Sequence, residues 1–371
     1  MNVGIDARVL EKGVTGIGRY LQDVLNGLPL YDKDNRYFLF SYNKLDFNPD
    51  FYSNISMGNI NLPEKLSSAF WLNFILHKYL KRFKIDVFFT PNQLLPLRKI
   101  PVKSVITVHD IAHKENKKYH PFLYRFYIDI LLPNSLMKSD RIITISEHSK
   151  KSIIESYKIE SSKIEIIHRT ADKKFVNKAV TENVKNILAR KFNLPKIFVL
   201  YVGMIENRKN IYGILKISDL LKKNNYPIEL VLIGKKGHGF NNIYTEMLKR
   251  QNVHYLNNVN DNELVDIYNL AFAFLFPSFF EGFGLPPLEA MQCGLPVLVS
   301  NRASLPEVVG EAGIVKEPED YEGFANEIIE LYKKPEYRKN LQKKSIEKSL
   351  EFNYLKSIEA FLKIINFFNA K

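Results

Sequence analysis

The chain has 371 residues, more than one hydrophobic core usually supports, so two domains are expected. Hydrophobic residues make up 46% and charged residues 25%, which excludes a disordered chain, and the one cysteine, Cys293, excludes an intramolecular disulfide and a cysteine-based zinc site. The formal net charge of +13 sits almost wholly in the first half, with 31 Lys+Arg against 19 Asp+Glu in residues 1–195 and 22 against 21 thereafter.

The N-terminus, MNVGIDARVLEKG, has no basic stretch followed by an apolar run, and no segment reaches about 18 uninterrupted apolar residues. A cytoplasmic chain with no signal peptide and no membrane span is expected. Cys293 is expected to be a small buried packing residue.

Short apolar, β-branched runs recur, each followed by a longer amphipathic stretch: Val3–Ile5, Tyr37–Phe40, Val87–Thr90, Val105–Val108, Ile142–Ile145 and Ile164–Ile167. The series restarts with Phe198–Val202, Leu230–Ile233, Val253–Leu256, Ala273–Phe276 and Val297–Ser300, and from Asp320 onward the chain reads as helix. Apolar strands alternating with helices predict parallel sheets covered on both faces, hence an α/β class with two doubly wound domains. A seam is expected between Lys173 and Lys196, where Lys and Asn are frequent and Pro195 precedes the new strand.

Two stretches interleave aromatic and basic residues at helical spacing. One has Phe70, Trp71, Phe74, Ile75, Leu76, Tyr79 and Leu80 with Lys78, Lys81, Arg82 and Lys84; the other has Lys117, Lys118, Tyr119, Phe122, Tyr124, Arg125, Phe126 and Tyr127. Such a composition suits an anionic membrane surface, and it equally suits core-facing helices with solvated lysines on the other side.

Open parallel sheets bind ligands at the carboxyl ends of their strands, so the loops there hold the candidates. After the first strand, Thr15-Gly16-Ile17-Gly18-Arg19-Tyr20 is a glycine turn opening a helix; it lacks the third glycine and the following acid of a dinucleotide fingerprint. His109-Asp110 ends the run Val105–Val108, a fair functional position for a residue type that is more often structural. Ser146-Glu147 ends the next run, with Ser146 expected to cap a helix.

In the second half, Gly203 to Asn210 (GMIENRKN) follows the first strand. Its glycine allows close backbone approach, and Arg208 and Lys209 could neutralise a diphosphate, although an isolated Arg-Lys is usually a solvated pair. Phe276 to Val299, FPSFFEGFGLPPLEAMQCGLPVLV, reads as strand, glycine-containing loop, helix from Pro286 to about Cys293, and strand again. Backbone N–H groups at Gly284 and Leu285 would cradle an anion at that helix start. Glu281 and Glu289 frame the loop. Carboxylates repel phosphates, so the vicinal hydroxyls of a ribose and a sugar are their natural partners; alone, such a pair reads as a cap and an exposed helical Glu.

The segment E-G-F-G-L-P-P-L-E-A-M-x-C-G-x-P-V, continued through Ser300, Asn301, Ser304, Leu305, Pro306, Glu307, Val308, Gly310, Ala312 and Gly313, resembles glycosyltransferase family 4. The resemblance spans about Gly4 to Gly313 and includes the G-x-(x)4-R-K-N motif at Gly203–Asn210. It implies the GT-B fold, two Rossmann-like domains facing a central cleft. These would be an acceptor-binding domain over 1–180, with a terminal helix of about 353–371 packing back on it, and a nucleotide-sugar-binding domain over 190–352. By the same resemblance Glu289 binds the ribose and Glu281 the sugar hydroxyls, while Phe283, Gly284 and Leu285 line sugar and phosphate. Gly16 and Gly18 close over the donor, His109 faces the reacting sugar, and Gly203 and Val259 contribute to the nucleotide site, Val259 in a stretch where Asn257 replaces the usual glycine. One departure is Ile167-His168-Arg169-Thr170-Ala171-Asp172, where members carry Asn-Gly two residues before the aspartate.

The expectation is a retaining hexosyltransferase that uses no metal, since Arg208, Lys209 and the Gly284 and Leu285 amides would stabilise the diphosphate, with catalysis resting on His109, Arg208, Lys209 and Glu281. The S-N-x-x-S-L-P-E-V-x-G tail looks like the polysaccharide mannosyltransferase branch, which implies GDP-mannose as donor, with UDP-, dTDP- or 6-deoxysugar donors as alternatives. The basic, aromatic first half suggests a lipid-linked glycan acceptor at the inner face of the membrane. A rival reading of another class is a non-catalytic regulator binding nucleotides or nucleic acid; the set Glu281, Glu289, Arg208 and Lys209 speaks against it, and no nucleic-acid partner is expected.

Overall fold

Alternating apolar runs and amphipathic stretches form alternating strands and helices in the computed structural model, which describes residues 1–12, 16–58, 64–117 and 121–369. Thr15, Lys118 and Tyr119, singled out above, lie outside the described residues.

The first unit holds residues 1–169 and 354–371. Its chain runs β1 (Asn2–Asp6), α1 (Gly16–Tyr31), β2 (Arg36–Ser41), β3 (Tyr52–Ser56), α2 (Glu64–Phe70), a π-helical turn over Trp71–Ile75, α3 (Leu76–Arg82), β4 (Val87–Thr90), β5 (Lys103–Thr107), α4 (Ala112–Glu115), α5 (Phe122–Lys138), β6 (Arg141–Thr144), α6 (Glu147–Tyr157) and β7 (Ile164–Ile166). The strands pair in parallel in the order β3-β2-β1-β4-β5-β6-β7, so the direction of winding reverses between β1 and β4. Ser146 caps α6 by accepting from Ser149 N at 3.1 Å, as expected.

The second unit, 170–353, contains α7 (Glu182–Phe192), β8 (Phe198–Val202), α8 (Ile211–Lys223), β9 (Glu229–Ile233), α9 (Phe240–Leu248), β10 (Val253–Leu256), α10 (Asp261–Leu270), β11 (Ala273–Phe276), α11 (Leu285–Gln292), β12 (Val297–Ser300), α12 (Leu305–Val309), β13 (Gly313–Lys316), α13 (Tyr321–Lys333) and α14 (Pro335–Ser349). Its parallel sheet has the order β10-β9-β8-β11-β12-β13, with the reversal between β8 and β11. The division between units falls at Arg169–Thr170, just ahead of the Lys- and Asn-rich stretch, because Phe175 already packs in the second core. Cys293 is buried in that core, where burial pushes its thiol up to about 12.

Helix α15 (Tyr354–Asn366) rejoins the first unit: Ile358, Phe361 and Ile365 enter its core, and the Phe361 ring lies 4.8 Å from that of Phe89. Central strands β4, β11 and β12 are buried along their whole length, matching their apolar sequences. Edge strands β3 (YSNIS) and β13 (GIVK) were not among the expected runs; each pairs on one side only and is partly exposed, so neither carries a strong apolar signal.

Candidate active site

In the second unit the loops that leave β8 and β11 emerge at the topological reversal, where a doubly wound sheet opens a crevice. After β8, residues Asn207–Lys209 make one 3-10 turn, and Asn210, at φ 56°, starts α8 by accepting from Gly213 N at 3.2 Å. The Asn210 amide also donates to Pro277 O at 3.0 Å and Pro318 O at 2.7 Å, and Phe279 N donates to Arg208 O at 3.0 Å. The asparagine of R-K-N thus pins its own loop to the end of β11 and fixes where Arg208 and Lys209 emerge.

Those two cations meet Glu281. Lys209 Nζ donates to Glu281 Oε1 at 2.5 Å, Ser278 Oγ donates to the same oxygen at 2.7 Å, and Arg208 Nη1 stands 3.7 Å from it. Arg208 is held by Glu206 Oε1 at 2.8 Å and Phe280 O at 2.6 Å. Lys209 and Glu281 are both 8% exposed, so neither is the solvated surface charge that its type in isolation suggests. Burial works to raise the Glu281 carboxyl, but Lys209 and Arg208 together overcome it and hold the group below the usual carboxylate range. Burial draws the Lys209 ammonium below its usual range, with Glu281 opposing.

The Glu281 loop is tied down by serines: Ser304 Oγ donates to Glu281 O at 2.9 Å and to Phe283 O at 2.7 Å, and Ser300 Oγ donates to Ser278 O at 2.5 Å. Gly284, at φ 112°, is the N-cap position of α11 and gives it no side-chain cap, so the amides at the helix start are left to the backbone and to ligands. A Cβ at Gly284 would also stand 2.8 Å from Leu305 Cδ2, so both torsion and packing demand glycine. Leu285 opens the helix, followed by Pro286 and Pro287 in its first turn. The Phe283 side chain turns inward, its ring edge-on to Phe352 at 5.5 Å, so only its backbone remains for the lining role implied for it.

Glu289 is 6% exposed and accepts from the Tyr268 hydroxyl at 3.0 Å. It is not the exposed helical Glu that its position alone suggests. Burial, then the Glu289 charge and hydrogen bond, drive the Tyr268 hydroxyl far above its usual range, so it remains a donor. Gly203 sits at the end of β8, where a Cβ on Gly234 would come within 1.8 Å of Gly203 O; the ends of β8 and β9 approach this closely only because residue 234 is glycine. Val259 follows β10, two strands from β8 in the sheet, and packs partly buried against the second core.

In the first unit, His109 follows β5. Its Nε2 lies 3.1 Å from Pro91 O, which follows β4, so the proton resides on Nε2 and Nδ1 keeps its lone pair. The ring is edge-on to Tyr20 at 5.0 Å, and the Tyr20 hydroxyl is 3.2 Å from Thr107 Oγ1. Burial and then the positive charge of Arg169 push His109 down to about 3. Arg169, the residue that departs from the family pattern, is 7% exposed, with its guanidinium carbon 5.5 Å from the Tyr20 ring centre and Nη2 4.0 Å from Asp23 Oδ2. Gly18 is buried in the first turn of α1; Gly16 is exposed, and a Cβ there would meet nothing within 4 Å.

Sequence reasoning missed Tyr268, Ser278 and Glu206, and named Ser300 and Ser304 within the matched motif without giving them a role. A tyrosine on the apolar face of α10 reads as core, and single serines carry no positional signal. Arg169 was visible as an irregularity but not as a neighbour of His109.

The sequence matches the family described as Glycosyl transferases group 1 over residues 184–348 and Glycosyltransferase Family 4 over 14–175. It is 32% identical to O-antigen chain mannosyltransferase B of Escherichia coli over 283 residues, covering 74% of this chain and 72% of that one. It is 28% identical to the Escherichia coli serotype-specific mannosyltransferase WbdA over 73% of this chain, and spans 35% of that longer protein. Among solved structures, sucrose-phosphate synthase from Thermosynechococcus elongatus superposes with a TM-score of 0.78 over 100% of both chains at 16% identity, a likeness of fold alone. The two parallel-sheet, Rossmann-like units are those of the GT-B fold. With both family descriptions matched and a relative 32% identical over most of its length, the chain belongs to the glycosyltransferases.

Proposed function

We propose that the protein moves mannose from GDP-mannose, with retention and without a metal, to a hydroxyl of a growing lipid-linked cell-surface polysaccharide, working at the inner face of the cytoplasmic membrane. The observation that carries this reading is the buried Lys209–Glu281 pair flanked by Arg208, at the reversal of the sheet and ahead of the α11 amides. Similarity to the O-antigen mannosyltransferase supports the sugar and the product class.

Cleavage of the donor's glycosidic bond leaves a negative diphosphate and an oxocarbenium-like sugar. Arg208, Lys209 and the amides of Gly284 and Leu285 stabilise the diphosphate, electrostatic work that a dry site amplifies. The Lys209, Ser278 and Arg208 contacts of Glu281 all fall on Oε1, which leaves Oε2 to accept from a sugar hydroxyl. Glu289, held by Tyr268, accepts from the ribose. In the first unit, neutral His109 keeps Nδ1 as an acceptor. The acceptor oxygen attacks from the face the diphosphate leaves, the departing phosphate oxygen takes the acceptor proton, and configuration is retained.

A thermal-shift series with GDP-, UDP- and dTDP-sugars, followed by transfer assays in EDTA and NMR of the product anomer, tests the reading. Stabilisation by GDP-mannose and an α-linked product are expected. Full turnover after Lys209→Ala or Glu281→Ala, or no transfer from any donor, overturns it. A UDP- or dTDP-sugar preference overturns the donor alone.

A further inference from the structure

Helix α5 carries two apolar stripes, about 130° apart around its axis. At 100° per residue, Ile128, Leu132 and Leu136 form one stripe, and these are buried in the first unit's core. The second stripe holds Phe122, Phe126, Ile130 and Met137, exposed by 69, 58, 56 and 67%, with Leu123 beside them at 78%. A helix covering a sheet ordinarily turns a polar face outward. Here the outward stripe bears no charge of its own, with Asp129, its side chain 44% exposed, at the edge.

The patch continues beyond the helix. Lys138, at the end of α5, donates to Leu97 O, and Leu97 N donates to Asn73 Oδ1 at 2.8 Å, so the π-helical turn lies along the same side of the sheet. Phe70 and Phe74, their rings 5.0 Å apart, and Leu97 are exposed there as well. Residues 64–138 carry 13 Lys+Arg against 5 Asp+Glu, a net +8 out of the chain's +13, and Lys78, Lys81, Arg82, Arg98, Lys99 and Lys117 are exposed.

We propose that this face of the first unit, the outer stripe of α5 with Phe70, Phe74 and Leu97, docks on an anionic lipid bilayer. Exposed aromatic and aliphatic side chains set among lysines and arginines match both layers of such a surface, acyl boundary and acidic headgroup. A second copy of the chain would bring one strongly basic face against another. No helix among the described residues is long and apolar enough to cross a membrane, so the contact is superficial. Its use, bringing the enzyme to a lipid-linked acceptor, rests on the function proposed above; the surface itself is argued without it.

The experiment is sedimentation of the full chain with phosphatidylcholine vesicles, with and without about 30% phosphatidylglycerol, in the absence of any sugar, so that its outcome is separate from that of the transfer assay. Binding to the anionic vesicles, weakened by salt, is expected. The triple variant Phe122→Ser/Phe126→Ser/Ile130→Ser is expected to lower the partition coefficient about tenfold or more while its thermal midpoint and transfer to a water-soluble acceptor stay unchanged. A single Phe126→Trp variant guards against a folding artefact: its emission shifts to the blue on anionic vesicles, against the fully buried Trp71. Equal binding with and without phosphatidylglycerol, undiminished binding by the triple variant, no shift at Trp-substituted position 126, or a dimer that the triple variant converts to monomer each overturns the proposal.

Discussion

Lys209 Nζ and Glu281 Oε1 lie 2.5 Å apart with both side chains 10% exposed, joining the loop after β8 to the loop after β11 across the reversal of the second sheet. Truncating one member leaves the other buried. Lys209→Met is expected to cost about 3 kcal/mol of stability, and Lys209→Met/Glu281→Leu less than the sum of the single changes. Urea unfolding of the four proteins in the cycle measures this; simple additivity would show that the pair is not coupled. In transfer assays Lys209→Ala is expected to lower kcat by about 100-fold or more, as for loss of one oxyanion donor.

The Tyr268–Glu289 hydrogen bond predicts a different signature. Tyr268→Phe removes a buried donor, for about 1–3 kcal/mol, and loosens the carboxylate assigned to the ribose. Donor binding is expected to weaken about tenfold with kcat little changed, read as a rise in KM against a titrated Kd. An equal fall in kcat at unchanged KM would contradict the ribose role.

Glycine substitutions separate torsion from collision. Gly284→Ala, at φ 112° and close to the Leu305 side chain, is expected to cost about 1–3 kcal/mol while leaving a folded protein. Gly234→Ala, aimed at the backbone oxygen of Gly203, has no flexible neighbour to yield and is expected to abolish soluble expression. Expression levels and thermal midpoints rank the two.

His109 sets a pH window for stability. Its native pKa of about 3 lies below the ordinary 6.5, so between those values the unfolded chain takes up the proton and the native one does not. The histidine's contribution is therefore complete above about pH 6.5 and lost progressively as pH falls toward 3, about 2 kcal/mol by pH 5. His109→Gln is expected to flatten the stability profile between pH 5 and about 6.5, measured by denaturant titration at each pH. Activity between about pH 6 and 8 is expected to show no histidine titration from this residue.

The sequence by itself determined the class of fold and pointed to a candidate site. Apolar runs such as Val87–Thr90 and Phe274–Phe276 are buried on both faces, so their parallel-strand reading depends on no distant contact, and the strand-loop-helix pattern around Gly284 is local chemistry. What each charged group does was decided only by the tertiary structure. Glu281 and Lys209 are 72 residues apart in the chain, and whether they are solvated or paired depends on β8 and β11 lying side by side. Tyr268 and Arg169 acquired their roles beside Glu289 and His109 in the same way. The two readings of the basic, aromatic segments divided as well: Trp71 is fully buried beneath Arg8, whereas α5 turns a second apolar stripe outward. Periodicity is written along the chain, but burial and the neutralisation of charge come from residues that only folding brings together.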